Sequence, residues 1–429
     1  INWQVYVLHA SFINVVLSIA TFFVFINFKL NIYYSFIYSL LFSVLAYPIS
    51  GTPFVDHHSA FFSLLGVYSL ILGIKNEKKL YWILLPIFFG FAFLSKQVPS
   101  SYVILSSIIV LILYSLFNKK YYWIKYSFLS CLIFIILLLI FGRIQGISLS
   151  SFLEQYIFYP QSIGNQRLEN FNFTFRGVVG HFKFIYIAII PFMLIILKDI
   201  FLEKKYFIDK NFLYFLILLL LTFSLIFHQL LTRNQTFIFF LIPILLGFSH
   251  ISIIYLNPKI NIFLSVILIL FCLSTVLKYH FRFNEDRKFH ELNHTNLELY
   301  SNASKIDKKL WGLKWITPEY GYNSKEEIIN INKIKLYLRN DSRTKMLMTN
   351  YSFFSTILNE KLFSPSRWYI FDGTDVPLRG NKYFKSYKKL LVKLINNNDI
   401  QVIYTISPVK SSVLYTYFDK SCFEEKKIS

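Results

Sequence analysis

The stretch from Ile124 to Gly142, IKYSFLSCLIFIILLLIFG, carries one charge, Lys125, in its first turn and none in the seventeen residues that follow. At ~1.5 Å per residue it would rise about 28 Å as a helix, close to the ~30 Å hydrocarbon core of a bilayer. Working outward from it, the same apolar pattern recurs along most of the chain. Ten runs are expected as spanning helices, at 4–27, 31–50, 59–74, 80–95, 100–117, 124–142, 182–198, 211–230, 236–256 and 259–278. Pro86, Gly90, Pro191 and Pro243 fall inside runs, which bilayer helices tolerate when neighbours satisfy the carbonyls that proline frees.

Composition agrees with a chain whose main solvent is lipid. Of 429 residues, 55% are hydrophobic and 20% aromatic, and the mean hydropathy is +0.49. The formal charge of +21 sits mostly in short loops and in the tail. That is the pattern of topology signals and of contacts with membrane lipids, and it does not point to nucleic acid. Cys131 and Cys272 lie within apolar runs and Cys422 near the end, so no disulfide framework is expected. The chain opens on Ile1 without the charged segment or cleavage site of a signal peptide, and it stops in the charged string 424–429. Both ends therefore read as cuts in a longer protein.

Lys and Arg in alternate loops set the expected orientation. One set holds Lys29, Lys75, Lys78, Lys79, Lys119, Lys120, Lys125, Lys198, Lys204, Lys205, Lys210 and Lys259. The other holds only Lys96, Arg143, Arg167, Arg176, Lys183 and Arg233, over loops that include a long one at 143–181. The first set should face the cytoplasm, which puts Ile1 and the tail outside, at a bacterial inner membrane. From about residue 280 the pattern turns to mixed polar and apolar, with β-prone runs at 345–348 and 401–406 and helical spacing at 326–340 and 384–396. The expected architecture is an α-helical polytopic membrane protein, 1–279, with a small extracytoplasmic α/β domain at 280–429.

Ionisable residues near the helices fall on one side of this topology. His9, Asp56, His57, His58, Lys96, His228 and Arg233 all lie at expected outer ends, and ionisable groups at membrane helices are costly enough to suggest function. Asp56-His57-His58 offers oxygen and nitrogen ligands for a divalent cation such as Mg or Mn, or a cradle for a phosphate. The alternative is that Asp56 caps the third helix and the histidines sit at the interface. Lys96 and Arg233 are candidates to bind a lipid-linked phosphate, Arg233 through its planar fork. Their alternatives are snorkelling and interfacial anchoring.

At this point a resemblance enters. The segment Gly90-Phe91-Ala92-Phe93-Leu94-Ser95-Lys96-x-x-Pro99 resembles the "GlaFLtKgp" segment of protein-mannosyltransferase-like and aminoarabinose-transferase-like enzymes of the GT-C superfamily. Phe239-Phe240-Leu241-Ile242-Pro243 is similar to their "YxLPxxP" helix, without its second proline. The Asp56-His57-His58 loop resembles an acidic motif of oligosaccharyltransferase-type members. The resemblance implies a GT-C-like fold, a polyprenyl-phosphate-linked sugar as donor and a lipid, glycan or protein acceptor. It also places the catalytic base in an outer loop ahead of Ile1, so no residue here is named for that role. In such enzymes long outer loops cover the active site, which makes Glu154 a candidate sugar or metal ligand, its alternative being a solvent-facing helix charge.

In the tail, Arg367, Trp368 and Asp372 combine aromatic and charged groups suited to a sugar ring, or else form a strand followed by an Asp-Gly turn. The leading expectation is a membrane glycosyltransferase. A transporter or lipid-glycan flippase is the alternative from another class; it would favour ionisable groups at midmembrane and repeated discontinuous helices.

Overall fold

The computed structural model describes residues 3–47, 55–163, 174–201, 209–232, 238–254, 256–282, 294–366, 369, 375–407 and 409–428. The chain divides into two compact units. One holds 4–152 and 167–287; the other holds 1–3, 153–166 and 288–429.

The first unit is helical. Its helices are α1 (Trp3–Asn27), α2 (Ile32–Ala46), α3 (Val55–Asn76), α4 (Lys79–Ser95), α5 (Gln97–Asn118), α6 (Tyr122–Ile144), α7 (Lys183–Phe201), α8 (Lys210–Thr232), α9 (Leu241–Ile253) and α10 (Pro258–His280). Among the described residues seven of these are long and apolar enough to cross a membrane, while α2, α4 and α9 are shorter apolar helices. The protein is thus an α-helical membrane protein. The expected run at 31–50 shortens for a steric reason: Tyr47 precedes Pro48, whose ring disfavours the helical conformation of the residue before it, and Tyr47 is extended at ψ 131°. Asn31 caps the start of α2, its Oδ1 accepting from the Tyr33 N–H at 2.9 Å.

α3 is the central post, with 83% of its most apolar window buried, whereas α6 is 6% buried and presents its Leu and Ile side chains outward, as lipid-facing helices do. Gly66 lets α4 come close to α3, since a Cβ there would lie 2.3 Å from the Phe89 ring. Pro86 has no N–H to offer the Trp82 carbonyl one turn back. Ser127 of α6 donates to that carbonyl at 2.9 Å, and Ser130 donates to the Ile83 carbonyl at 2.8 Å. Deeper in the unit, His250 of α9 is bonded on both ring nitrogens, to Tyr38 Oη at 3.3 Å and Ser265 Oγ at 2.8 Å. These bonds tie α2, α9 and α10 together.

Among the described residues the second unit has α11 (Ser324–Asn340) and α12 (Phe384–Asn397), close to the helical spacing read from the sequence, and four short strands. β1 (Ser301–Asn302) pairs antiparallel with β2 (Lys314–Trp315), and β3 (Lys345–Met348) pairs parallel with β4 (Val402–Thr405), Lys345 opposite Val402. A parallel pair needs a crossover, and α12 lies within it. The segment 153–166, part of the long loop in sequence, groups with this unit; Tyr159 sets its ring edge-on to Tyr383 at 6.1 Å.

Candidate functional site

Three helix ends of the first unit meet at Asp56. Asp56 lies in the first turn of α3, Lys96 is the extended residue between α4 and α5, and His228 lies one turn from the end of α8. Lys96 Nζ donates to Asp56 Oδ1 at 2.5 Å, and His228 Nε2 lies 3.2 Å from the same oxygen. The Asp56 side chain is 6% exposed and His228 is 1% exposed, while Lys96 keeps 26%. In so dry a setting a carboxylate is tolerable only with such partners, because removing one leaves a buried charge uncompensated.

The backbone around Lys96 is held as firmly as its side chain. Its φ of −161° breaks the helix, and its carbonyl accepts from Ser59 Oγ at 3.1 Å and Ser100 Oγ at 2.6 Å. Ser59 stands one turn after Asp56 on α3. The same helix therefore fixes the lysine's main chain through Ser59 and its ammonium through Asp56.

The other two members of the Asp-His-His run point elsewhere. Successive side chains on a helix are turned by about 100°. His57 is buried with its ring 5.8 Å from that of Phe61, and His58 Nε2 lies 2.9 Å from His9 Nε2, so one imidazole of that pair carries the shared hydrogen. As described, Asp56, His57 and His58 do not converge on one point, and Asp56 Oδ1 already has an ammonium against it. Among the described residues no three His, Cys, Asp or Glu side chains are grouped to hold a metal ion. The expected Mg or Mn does not fit this triad.

Of the other candidates, Glu154 lies in the π-helical turn Leu153–Phe158 of the second unit, half-buried. Arg233, Arg367, Trp368 and Asp372 fall outside the described residues. His228, at an expected outer helix end, is the partner for which the sequence alone indicates no role. Its signal was its place as the one ionisable residue inside the run 211–230.

Two cavities are prominent, and neither is lined by Asp56, Lys96 or His228. One of about 1350 Å³ lies in the second unit beside β4. Glu327 lines it; burial pushes this carboxyl up, against hydrogen bonds from Tyr351 Oη at 2.9 Å and Thr317 Oγ1 at 3.0 Å. The other, of about 610 Å³, lies in the helical unit at the end opposite Asp56. No protein family, curated protein or solved structure matches this chain.

Proposed function

We propose that the chain is a membrane glycosyltransferase that moves a sugar from a polyprenyl phosphate to a lipid, glycan or protein acceptor. The observation that supports it best is the buried Asp56–Lys96–His228 cluster, which joins two segments singled out by the GT-C resemblance. In this reading the acceptor oxygen forms a bond to the anomeric carbon, the bond from that carbon to the phosphate oxygen breaks, and the electron pair leaves with the lipid phosphate. The hydroxyl proton passes to a carboxylate acting as general base. Lys96, held by Asp56 until the donor arrives, swings its ammonium onto the phosphate, and His228 remains on Asp56 to keep the carboxylate partnered. By the Lys/Arg asymmetry the Asp56 end faces outward, and residues 280–429 form an extracytoplasmic α/β domain.

The test is transfer in proteoliposomes carrying labelled polyprenyl-phosphate sugars. Lys96→Met and Asp56→Asn should each slow transfer about a hundredfold or more, the range for loss of a preorganised charge stabiliser. Both variants, folded, transferring at the parental rate would overturn the proposal. The same buried Asp-Lys-His relay also suits proton-coupled transport. Donor-independent solute flux driven by a pH gradient, and abolished in Asp56→Asn, would favour that second function.

A further inference from the structure

The cavity at the opposite end of the helical unit has a composition of its own. Asp56 and Lys75 are at the two ends of α3, roughly 28 Å apart at ~1.5 Å per residue. Around Lys75 the cavity is lined by Lys29, Lys198 and Lys210, with Asp199 as its single carboxylate among the described residues. Lys210 is partly engaged, its Nζ lying 3.0 Å from Glu77 Oε1. Lys29 and Lys75 have no anionic partner among the described residues, although Lys29 is near enough to add its positive field to that at Lys75. Lys75 rests its ammonium 3.6 Å from the centre of the Phe28 ring, a contact that leaves its charge unneutralised. Two ammonium groups that line one cavity without an anionic partner repel each other, and an anion between them relieves that repulsion.

Apart from Asn211 and Ser252, the rest of the wall is aromatic or aliphatic. Phe28, Phe192, Tyr214 and Phe248 line it, and Phe28 and Phe248 pack edge-on at 5.4 Å. A volume of about 610 Å³ lies within the ~300–1,000 Å³ of small-molecule sites. It exceeds what a bare phosphate fills, and it combines a cationic rim with greasy walls. Basic pockets between membrane helices are where anionic lipid head groups dock.

We propose that this cavity binds the phosphate of an anionic lipid, with Lys29 and Lys75 on the phosphate oxygens and the aromatic wall against the glycerol and first methylenes. This site is separate from the Asp56 cluster and does not depend on the function assigned there. The full chain, purified in detergent and delipidated, is titrated with phosphatidylglycerol and with phosphatidylcholine under native mass spectrometry, with inorganic phosphate as competitor.

Phosphatidylglycerol should bind at least ten times more tightly than phosphatidylcholine. The Lys29→Ala/Lys75→Met pair should erase that preference, the methionine keeping an unbranched stem over Phe28. Lys75→Arg, which keeps the charge, should retain it, as should Lys119→Ala, a lysine outside the cavity lining. Ser252→Phe, which fills the cavity without touching charge, should lose it. Millimolar phosphate that binds to the parent and not to the double variant, with the two lipids equal, would keep the anion site and assign it to free phosphate. Equal binding of both lipids with no phosphate binding, or a preference that survives the double variant and Ser252→Phe, would overturn the proposal.

Discussion

The two ends of the helical unit each set one carboxylate between two nitrogen partners, a lysine and a histidine at Asp56 and two lysines at Glu77, yet they set them in different solvents. At one end Asp56 meets Lys96 and His228 almost out of reach of water. At the other, Glu77 meets Lys120 and Lys210, and all three side chains are about a third exposed. Similar pairing therefore has unequal consequences. A dry carboxylate depends on its partners for its existence as an anion, whereas a wet one exchanges them for water and salt at little cost.

The largest expected effect is that of Lys96→Met, which strands Asp56 beside one imidazole. Reversible unfolding in mixed micelles should show a loss of about 3–5 kcal/mol, and adding Asp56→Asn should recover a good part of it. Strict additivity of the two would mean that the pair is not coupled and that the two ends do not differ as described. An intermediate effect is expected from His228→Leu, measured in the same way. It leaves the ammonium in place and removes one hydrogen-bond donor, for a loss of about 1–3 kcal/mol. A loss as large as that of Lys96→Met would make the imidazole the principal counter-charge.

Glu77→Gln should do least, within about 1 kcal/mol, and less still at high salt. Its pH dependence has a definite sign. The hydrogen bond from Lys120, with Lys210 beside it, holds the Glu77 carboxyl below its ordinary range. Its small contribution is thus present above the unfolded value of about 4.3 and is lost as pH falls through the lower folded one. A parent-minus-Glu77→Gln difference that grew on acidification would contradict the ion-pair geometry.

The helices were legible because length against bilayer thickness and the sparsity of charge are properties of contiguous sequence. So was the gathering of polar residues at one side, which follows from alternation alone. The pairing was not legible. Asp56 and Lys96 are 40 positions apart and Asp56 and His228 are 172 apart, and their meeting depends on how closely α4 and α8 approach α3; the close approach of α4 needs the missing Cβ of Gly66 beside Phe89. For that reason the sequence offered Lys96 as a candidate for a lipid-linked phosphate without showing that Asp56 lies against its ammonium. Asp56, His57 and His58 are adjacent in sequence, but helix geometry turns neighbours apart, and the described contacts of His57 and His58 are with Phe61 and His9. In the second unit the strand at 345–348 and the helix at 384–397 stood where hydrophobic spacing put them, while the attachment of 153–166 left no local trace.

That attachment has a consequence for the order in which the protein is made. Tyr159 leaves the ribosome roughly 220 residues before the Tyr383 against which it packs. At about 5–20 residues per second the wait is roughly 10–45 seconds. During it, four apolar helices, α7 to α10, are synthesised and committed to the bilayer. The stretch around Tyr159 must stay soluble and unclaimed meanwhile, and the second unit closes only after this piece has been held across the translation of half the chain.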